Sequence, residues 1–356
     1  IYGEEKGIEM SMTKISDYLL DFLVELLNIP SPTGFTDEAI TFVESVFSGH
    51  ADLSLMRTNK GSLIIKWQGT TDQSPRALTA HVDTLGGMVK SIKPNGRLQL
   101  TRLGGLMLNG VETEGCWIIT QSGEKVRGSY MINKASSHVY GKETSEMKRT
   151  EKTMEVRLDV RTTSAEETRA LGIEVGDFVA FDPRVEITNG FIRSRFLDDK
   201  ASIASLAAAI KSMITVGLKP TRTTYFLISN FEEVGHGAPA GIPQDVTELV
   251  VIDMAAIGQG QESDEFHATL CIKDSSGPYH HGLSNRLRKL ASDYKIAHKV
   301  DIYPYYGSDG SAALRAGRDI AVALIGPGVD ASHNYERTHI DALVATTQWI
   351  ILYLIS

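Results

Sequence analysis

Residues 201–229, ASIASLAAAIKSMITVGLKPTRTTYFLIS, set a helix and a strand side by side with a sharp break between them. Ala201–Val216 is an alanine-rich helical stretch, and Gly217 and Pro220 end it. Thr223–Ser229 then reads as an apolar strand, followed at once by Asn230-Phe231-Glu232-Glu233. The same alternation runs to the end of the chain. Leu249–Ile252, Ala268–Ile272 and Ile320–Ile325 read as buried strands; Leu283–Tyr294, Ser311–Ala316 and Ala342–Ile355 read as helices. Upstream, Ile15, Leu19, Phe22, Leu23, Leu26 and Leu27 recur at helical spacing until Pro30-Ser31-Pro32-Thr33-Gly34 breaks the helix. A second helix starts near Thr36, and Ser62–Trp67 and Ala77–Asp83 are short runs typical of buried strands. Strands alternating with helices predict an α/β fold in three layers, a mostly parallel sheet with helices on both faces.

The texture changes between Gly87 and Ile192. The runs MVKSI, RLQLTRL, CWIIT, MEVRLDV, DFVAF and RVEIT are short and alternate polar with apolar residues, and Asn95-Gly96, Asn109-Gly110, Ser122-Gly123 and Asn189-Gly190 supply turns. Only Ser164–Leu171 reads as helix there. The expected plan is therefore an α/β domain, 1–86 and 192–356, interrupted by a small all-β domain at 87–191.

The length of 356 residues suits two domains. A net charge of −8 and the absence of a basic stripe argue against nucleic-acid binding, which rests on positive surface. Cys116 and Cys271 form no CxxC and read as free thiols, as in a reducing cytoplasm. The opening IYGEEKGIEMSMTK lacks the apolar core of a secretory signal, and the longest apolar run, Trp349–Ile355, is far short of the roughly 20 residues that span a bilayer. A cytoplasmic location without membrane attachment is expected.

Five places put acids or histidines where strands of such a sheet end, the edge at which open α/β sheets form their sites. His81 and Asp83 are two apart in a strand and share a face, so Asp83 can accept the second imidazole N–H of a metal-bound His81; a polar pair capping a strand end reads the same. Asp198-Asp199-Lys200 precedes the Ala201 helix, where acids also suit the helix dipole. Glu232 and Glu233 follow the Thr223–Ser229 strand; one could hold a metal and the other take a proton from water, or both could form a solvated turn. Asp253 closes the Leu249–Ile252 strand, as ligand or as loop cap. Ser332–His339 offers two histidines, His333 and His339. Taken together, two histidines and three carboxylates can hold two ions through one shared carboxylate, with a fourth left as base. Oxygen and imidazole without thiolate suit zinc, cobalt or manganese.

In this order, AHVDTLG, FLDDK, NFEEVG, VVIDMA and a late histidine resemble the co-catalytic di-metal aminopeptidases of the tetrahedral, deblocking and glutamyl aminopeptidase family. IPSPTG, GIEVGD, IKDSSGPYHH and YGSDGSAA extend the resemblance over nearly the whole chain. It implies a barrel-like oligomerisation insert, and a homo-oligomer between dimer and dodecamer. It also implies metal-dependent release of the N-terminal residue from peptides with a free amino terminus, by a hydroxide bridging two divalent ions (zinc or cobalt, with manganese the third option). By the same resemblance His81 and Asp253 would hold one ion, Glu233 and His333 the other, and Asp198 both. Glu232 would be the general base, Asp83 would orient His81, and the Asp198–Asp199 peptide would be cis. DDK stands here for the more usual DDR, and SHNYERTH for an HSP-type motif, so His339 rivals His333, which is favoured by its distance to the closing helix. The alternative activity is that of a related di-metal amidohydrolase: aminoacylase, dipeptidase or deacylase. Those relatives carry a lid with helices between its strands, unlike this insert.

Overall fold

Successive side chains of a strand point to opposite faces, and in the central strands both sets are apolar. Leu78, Ala80, Val250, Ile252, Ala323 and Ile325 join one core cluster, whereas Ala77, Leu249, Val251, Val322 and Leu324 join a second. A sheet with two such faces must be covered twice. The computed structural model, which describes the backbone of residues 2–356 and side chains from residue 15 onward, shows how.

The main sheet has ten strands. Its core runs Leu53–Arg57, Leu63–Trp67, Arg222–Ser229, Thr71–His81, Glu248–Ile252, Ala321–Val329, Ala268–Asp274, Gly277–Pro278, with Ala255–Ala256 and His298–Ile302 attached at the sides. The four strands from Arg222–Ser229 to Ala321–Val329 are mutually parallel. One face carries the long helices Tyr2–Leu27, Leu197–Thr215, His281–Asp293 and Ile340–Ile355. The alanines of Leu197–Thr215 let it pass between its neighbours with almost every residue of its first four turns buried. The opposite face is closed by the seven-residue helix Asp309–Arg315 and by the loop that buries Ala238, Ile242 and Val246. The lower edge is tied by Arg76, fully buried, whose guanidinium donates to the Tyr353 carbonyl at 2.5 Å and lies 4.7 Å over the Tyr353 ring.

Between Gly86 and Phe181 six antiparallel strands close a barrel in the order Gly86–Ile92, Leu98–Leu103, Met154–Leu158, Lys125–Ile132, Gly115–Ile119, Phe178–Phe181. One of these, Lys125–Ile132, carried no strand expectation: Gly128 and Ser129 dilute its pattern. Gly128 is required because a Cβ there would lie 2.9 Å from the Arg157 carbonyl oxygen. The barrel segment also holds the short helices Ser137–Tyr140 and Lys142–Glu146, besides the expected one at Ala165–Arg169. Glu186–Thr188 and Phe191–Ser194 lie outside the barrel and pair with each other, and Phe191–Ser194 pairs on its other side with Glu336–His339 in a separate three-stranded sheet. None of the described helices is long and apolar enough to cross a membrane.

Candidate active site

Because neighbouring parallel strands share a register, their carboxyl ends arrive together. Ser229 pairs with His81, and Val251 with Thr79. His81, the Glu232-Glu233 turn and Asp253 therefore reach one edge of the sheet from three adjacent strands. Asp198 and His333 come from outside these strands, each through a backbone kink. Phe196 (φ 70°) turns the chain into the helix that bears Asp198, Phe231 (φ 73°) does so before Glu232, and His333 itself has φ 65°. Bulky residues in the left-handed region are uncommon, and they gather at functional sites. The Asp198–Asp199 peptide is cis.

His81 Nε2 lies 3.1 Å from Asp198 Oδ1 and 3.7 Å from Glu232 Oε2. His333 Nε2 lies 3.7 Å from Asp198 Oδ2 and 3.6 Å from Glu233 Oε2. Two sets of ligand atoms, each within 4.8 Å of one another, result: His81, Asp198 and Asp253, and Asp198, Glu233 and His333. Asp198 belongs to both. In each imidazole the other nitrogen meets a backbone carbonyl, His81 Nδ1 that of Asp83 at 2.9 Å and His333 Nδ1 that of Gly105 at 3.2 Å. That hydrogen bond places the proton on Nδ1 and leaves Nε2 free as a ligand. Gly105 is needed here, since a Cβ would sit 2.7 Å from His333 Nδ1.

Asp83 acts differently from the expected imidazole partner. Its Oδ1 is 3.7 Å from His81 Nδ1. The carboxylate instead accepts the Glu232 N–H at 3.1 Å, the Glu233 N–H at 3.3 Å and the Thr33 hydroxyl at 2.8 Å. These three donors engage both of its oxygens, so it orients the turn that carries both glutamates. His339 sits away from both ligand sets. It caps the C-terminal helix by accepting the Asp341 N–H at 3.2 Å and packs against Phe191 and Phe266. His339→Ala should therefore cost about 1 kcal/mol of stability and leave metal content unchanged, whereas His333→Ala should lose the metal of its own ligand set alone; melting curves and elemental analysis separate the two. Residue reading alone passed over Glu336 and Asp309. Glu336 is a buried acid accepting the N–H of Asp198 and that of His333. Asp309 holds Thr79, Ser229 and the Ala238 N–H behind the sheet.

The electrostatics suit cations. Burial, with neighbouring Asp253, Asp309 and Glu233, pushes the Glu232 carboxyl well above the ordinary range against the pull of His81. Burial and the Asp198 charge do the same to Glu233, and raise Asp253 to about 7. Burial works against Asp198 too, yet the hydrogen bond and charge of His81, helped by His333, hold it low. Glu233 Oε1 is buried without a hydrogen-bond partner. A cluster of carboxylates this dense, with an orphaned oxygen facing it, fits divalent ions and fits little else. Beside it opens a cleft of about 750 Å³ lined by Met107, Met254, Tyr303, Tyr305 and Tyr306 as well as the acids.

An α/β sheet with such a cleft at its carboxyl edge defines a metal-dependent hydrolase. Comparison with known proteins narrows the class. The sequence profile described as M42 glutamyl aminopeptidase matches residues 61–348. The Bacillus subtilis (strain 168) protein named "Putative aminopeptidase YhfE" is 47% identical over 336 residues, 94% of this chain and 96% of that one. Among solved structures, aminopeptidase APDkam598 from the archaeon Desulfurococcus kamchatkensis superposes with a TM-score of 0.85 at 18% identity, covering 95% of each chain. The Pyrococcus horikoshii TET1 peptidase, described as assembling into a tetrahedron or a large octahedral shell, superposes at 0.82 and 19% identity, over 95% of this chain and 99% of that one. The chain belongs to the M42 glutamyl aminopeptidase family and is a metal-dependent aminopeptidase.

Proposed function

We propose that the enzyme binds two divalent ions and releases the first residue of peptides that carry a free amino terminus, with His81 and Asp253 holding one ion, Glu233 and His333 the other, and Asp198 shared. The observation that carries this reading is the pair of ligand sets meeting at Asp198, with Glu232 3.7 Å from His81 and a member of neither. Bound there, the ions supply Lewis acidity toward the peptide carbonyl and lower the pKa of water. The chain supplies the rest. Glu232 takes the proton of the attacking water and returns it to the departing amine. Asp83 fixes the turn that aims Glu232, through the Glu232 N–H. The substrate's first side chain lies in the cleft between Met107 and the tyrosines at 303, 305 and 306.

Zinc, cobalt and manganese all suit this donor set, and availability decides among them as much as affinity does. The barrel and its flanks, 87–191, serve as the assembly unit of a homo-oligomer between dimer and dodecamer, while 1–86 and 192–356 form the catalytic unit; the assembly named for the Pyrococcus horikoshii relative supports this. Two buried free thiols are in keeping with work in the reducing cytoplasm.

The test is a panel of aminoacyl-4-nitroanilides with one N-acetylated control, assayed as isolated, after chelation and after return of zinc or cobalt. Free-amine substrates alone should be cleaved, activity should fall to background with chelator, and added metal should restore it. Cleavage of the N-acetylated control, or of N-acyl amino acids in its place, would move the reading to an acylase.

A further inference from the structure

Besides Glu232, a further acid beside the ligand sets belongs to neither. Glu336 is 2% exposed, and its carboxylate faces two backbone donors from distant parts of the chain. Oε2 accepts the Asp198 N–H at 3.1 Å, and Oε1 accepts the His333 N–H at 3.0 Å. Asp198 follows the left-handed Phe196, and His333 is itself left-handed. At these kinks no strand ladder offers the two N–H groups an acceptor, and a buried N–H needs one. The antiparallel register of Ser194 with Glu336 sets the carboxylate beside the chain that leads into Asp198. A single side chain thus ties the residue shared by both ligand sets to the terminal histidine of one of them.

The chemistry asks for a carboxylate. Two N–H donors point at two oxygens; an amide would turn an NH2 toward one of them and lose that bond. Placing one more buried acid beside Asp198 and Glu233 is costly where stability alone is concerned. On the two-ion reading above, we propose that Glu336 is a positioning residue that sets the affinity of the Asp198–Glu233–His333 group for its ion, holding Asp198 Oδ2 and His333 Nε2 at their spacing while touching neither ion nor substrate.

The experiment compares wild type, E336Q and E336D by equilibrium dialysis against graded zinc, with elemental analysis, steady-state kinetics and melting temperature on the same samples. Wild type should take up two ions. E336Q should keep one tightly and bind the second about 10–100-fold more weakly, the range for loss of an outer hydrogen-bond partner of a ligand. Its kcat should be low at limiting zinc and recover as zinc is raised, with KM unchanged. E336D keeps both oxygens one methylene short of their donors and should fall between the two, which also serves if the amide variant does not fold. Two ions bound by E336Q or E336D as tightly as by wild type would overturn the proposal. So would equal weakening of both ions alongside a lower melting temperature, the mark of a purely structural part. A single ion on the unmutated protein would instead overturn the two-ion reading, and that is seen before any variant is made.

Discussion

Glu232→Gln is expected to lower kcat by about 10³–10⁴-fold, the upper range for loss of a general acid–base group, with two ions still bound and the fold intact. The amide is nearly the same size as the acid. It preserves the backbone N–H that donates to Asp83 at 3.1 Å, so the turn and Glu233 beside it stay in place. What disappears is the ability to take a proton and return it. The side chain suits that work. Burial and the neighbouring acids drive its carboxyl well above the ordinary range, and cations nearby would pull it back down and favour the carboxylate that accepts a proton. Turnover measured beside elemental analysis decides the point: a variant that keeps most of its activity removes Glu232 from the proton transfers, and one that loses its ions makes it a ligand.

The parts of this site that could be read without coordinates are those at the ends of apolar runs. His81, Glu232, Glu233 and Asp253 each follow or close a strand buried on both faces, and parallel register brings such ends together whatever the loops do. Asp198 and His333 needed the family resemblance, because they reach the cleft through left-handed kinks that no periodicity announces. Between two histidines six residues apart, the distance to the closing helix favours His333. The structure separates them by partners: His333 meets Asp198 and Glu233, and His339 meets an aromatic pair and a helix end.

Other features stayed hidden for identifiable reasons. Glu336 looks like any surface acid in the string NYERTH, and only the fold shows two distant N–H groups converging on it. The strand ends at His81, so Asp83 lies past it and period two does not fix its side-chain direction; donors from the 232–233 turn capture its carboxylate. On the sheet's second face the short helix is expected at Ser311–Ala316, but the segment that buries Ala238, Ile242 and Val246 is a loop and carries no element expectation. The consequence is functional. That face carries Asp309, which accepts the Ala238 N–H at 2.7 Å and Thr79 Oγ1 at 3.2 Å, fixing the far side of the loop that begins with Glu232.

Asp198→Ala is expected to be the most damaging change for metal binding. Each other ligand serves one group of three, but Asp198 completes both, with Oδ1 3.1 Å from His81 Nε2 and Oδ2 3.7 Å from His333 Nε2. On the two-ion reading, removing it leaves two ligands at each position and also deletes the negative charge that would hold the two cations side by side. Outer-shell partners alone cost about 10–100-fold in affinity, so loss of a shared ligand should exceed that at both positions and abolish activity at any practical zinc concentration. The contrast with His333→Ala is the discriminating part. That variant should lose one ion and retain the one between His81 and Asp253, because its side chain lies at the edge of the cleft, 36% exposed, and reaches only one ligand set. Elemental analysis after dialysis should therefore read near zero ions for Asp198→Ala and near one for His333→Ala. Full occupancy in Asp198→Ala would dismiss the shared carboxylate. Equal losses in the two variants would mean that the ions bind as one cooperative unit, with Asp198 no more central than the histidine.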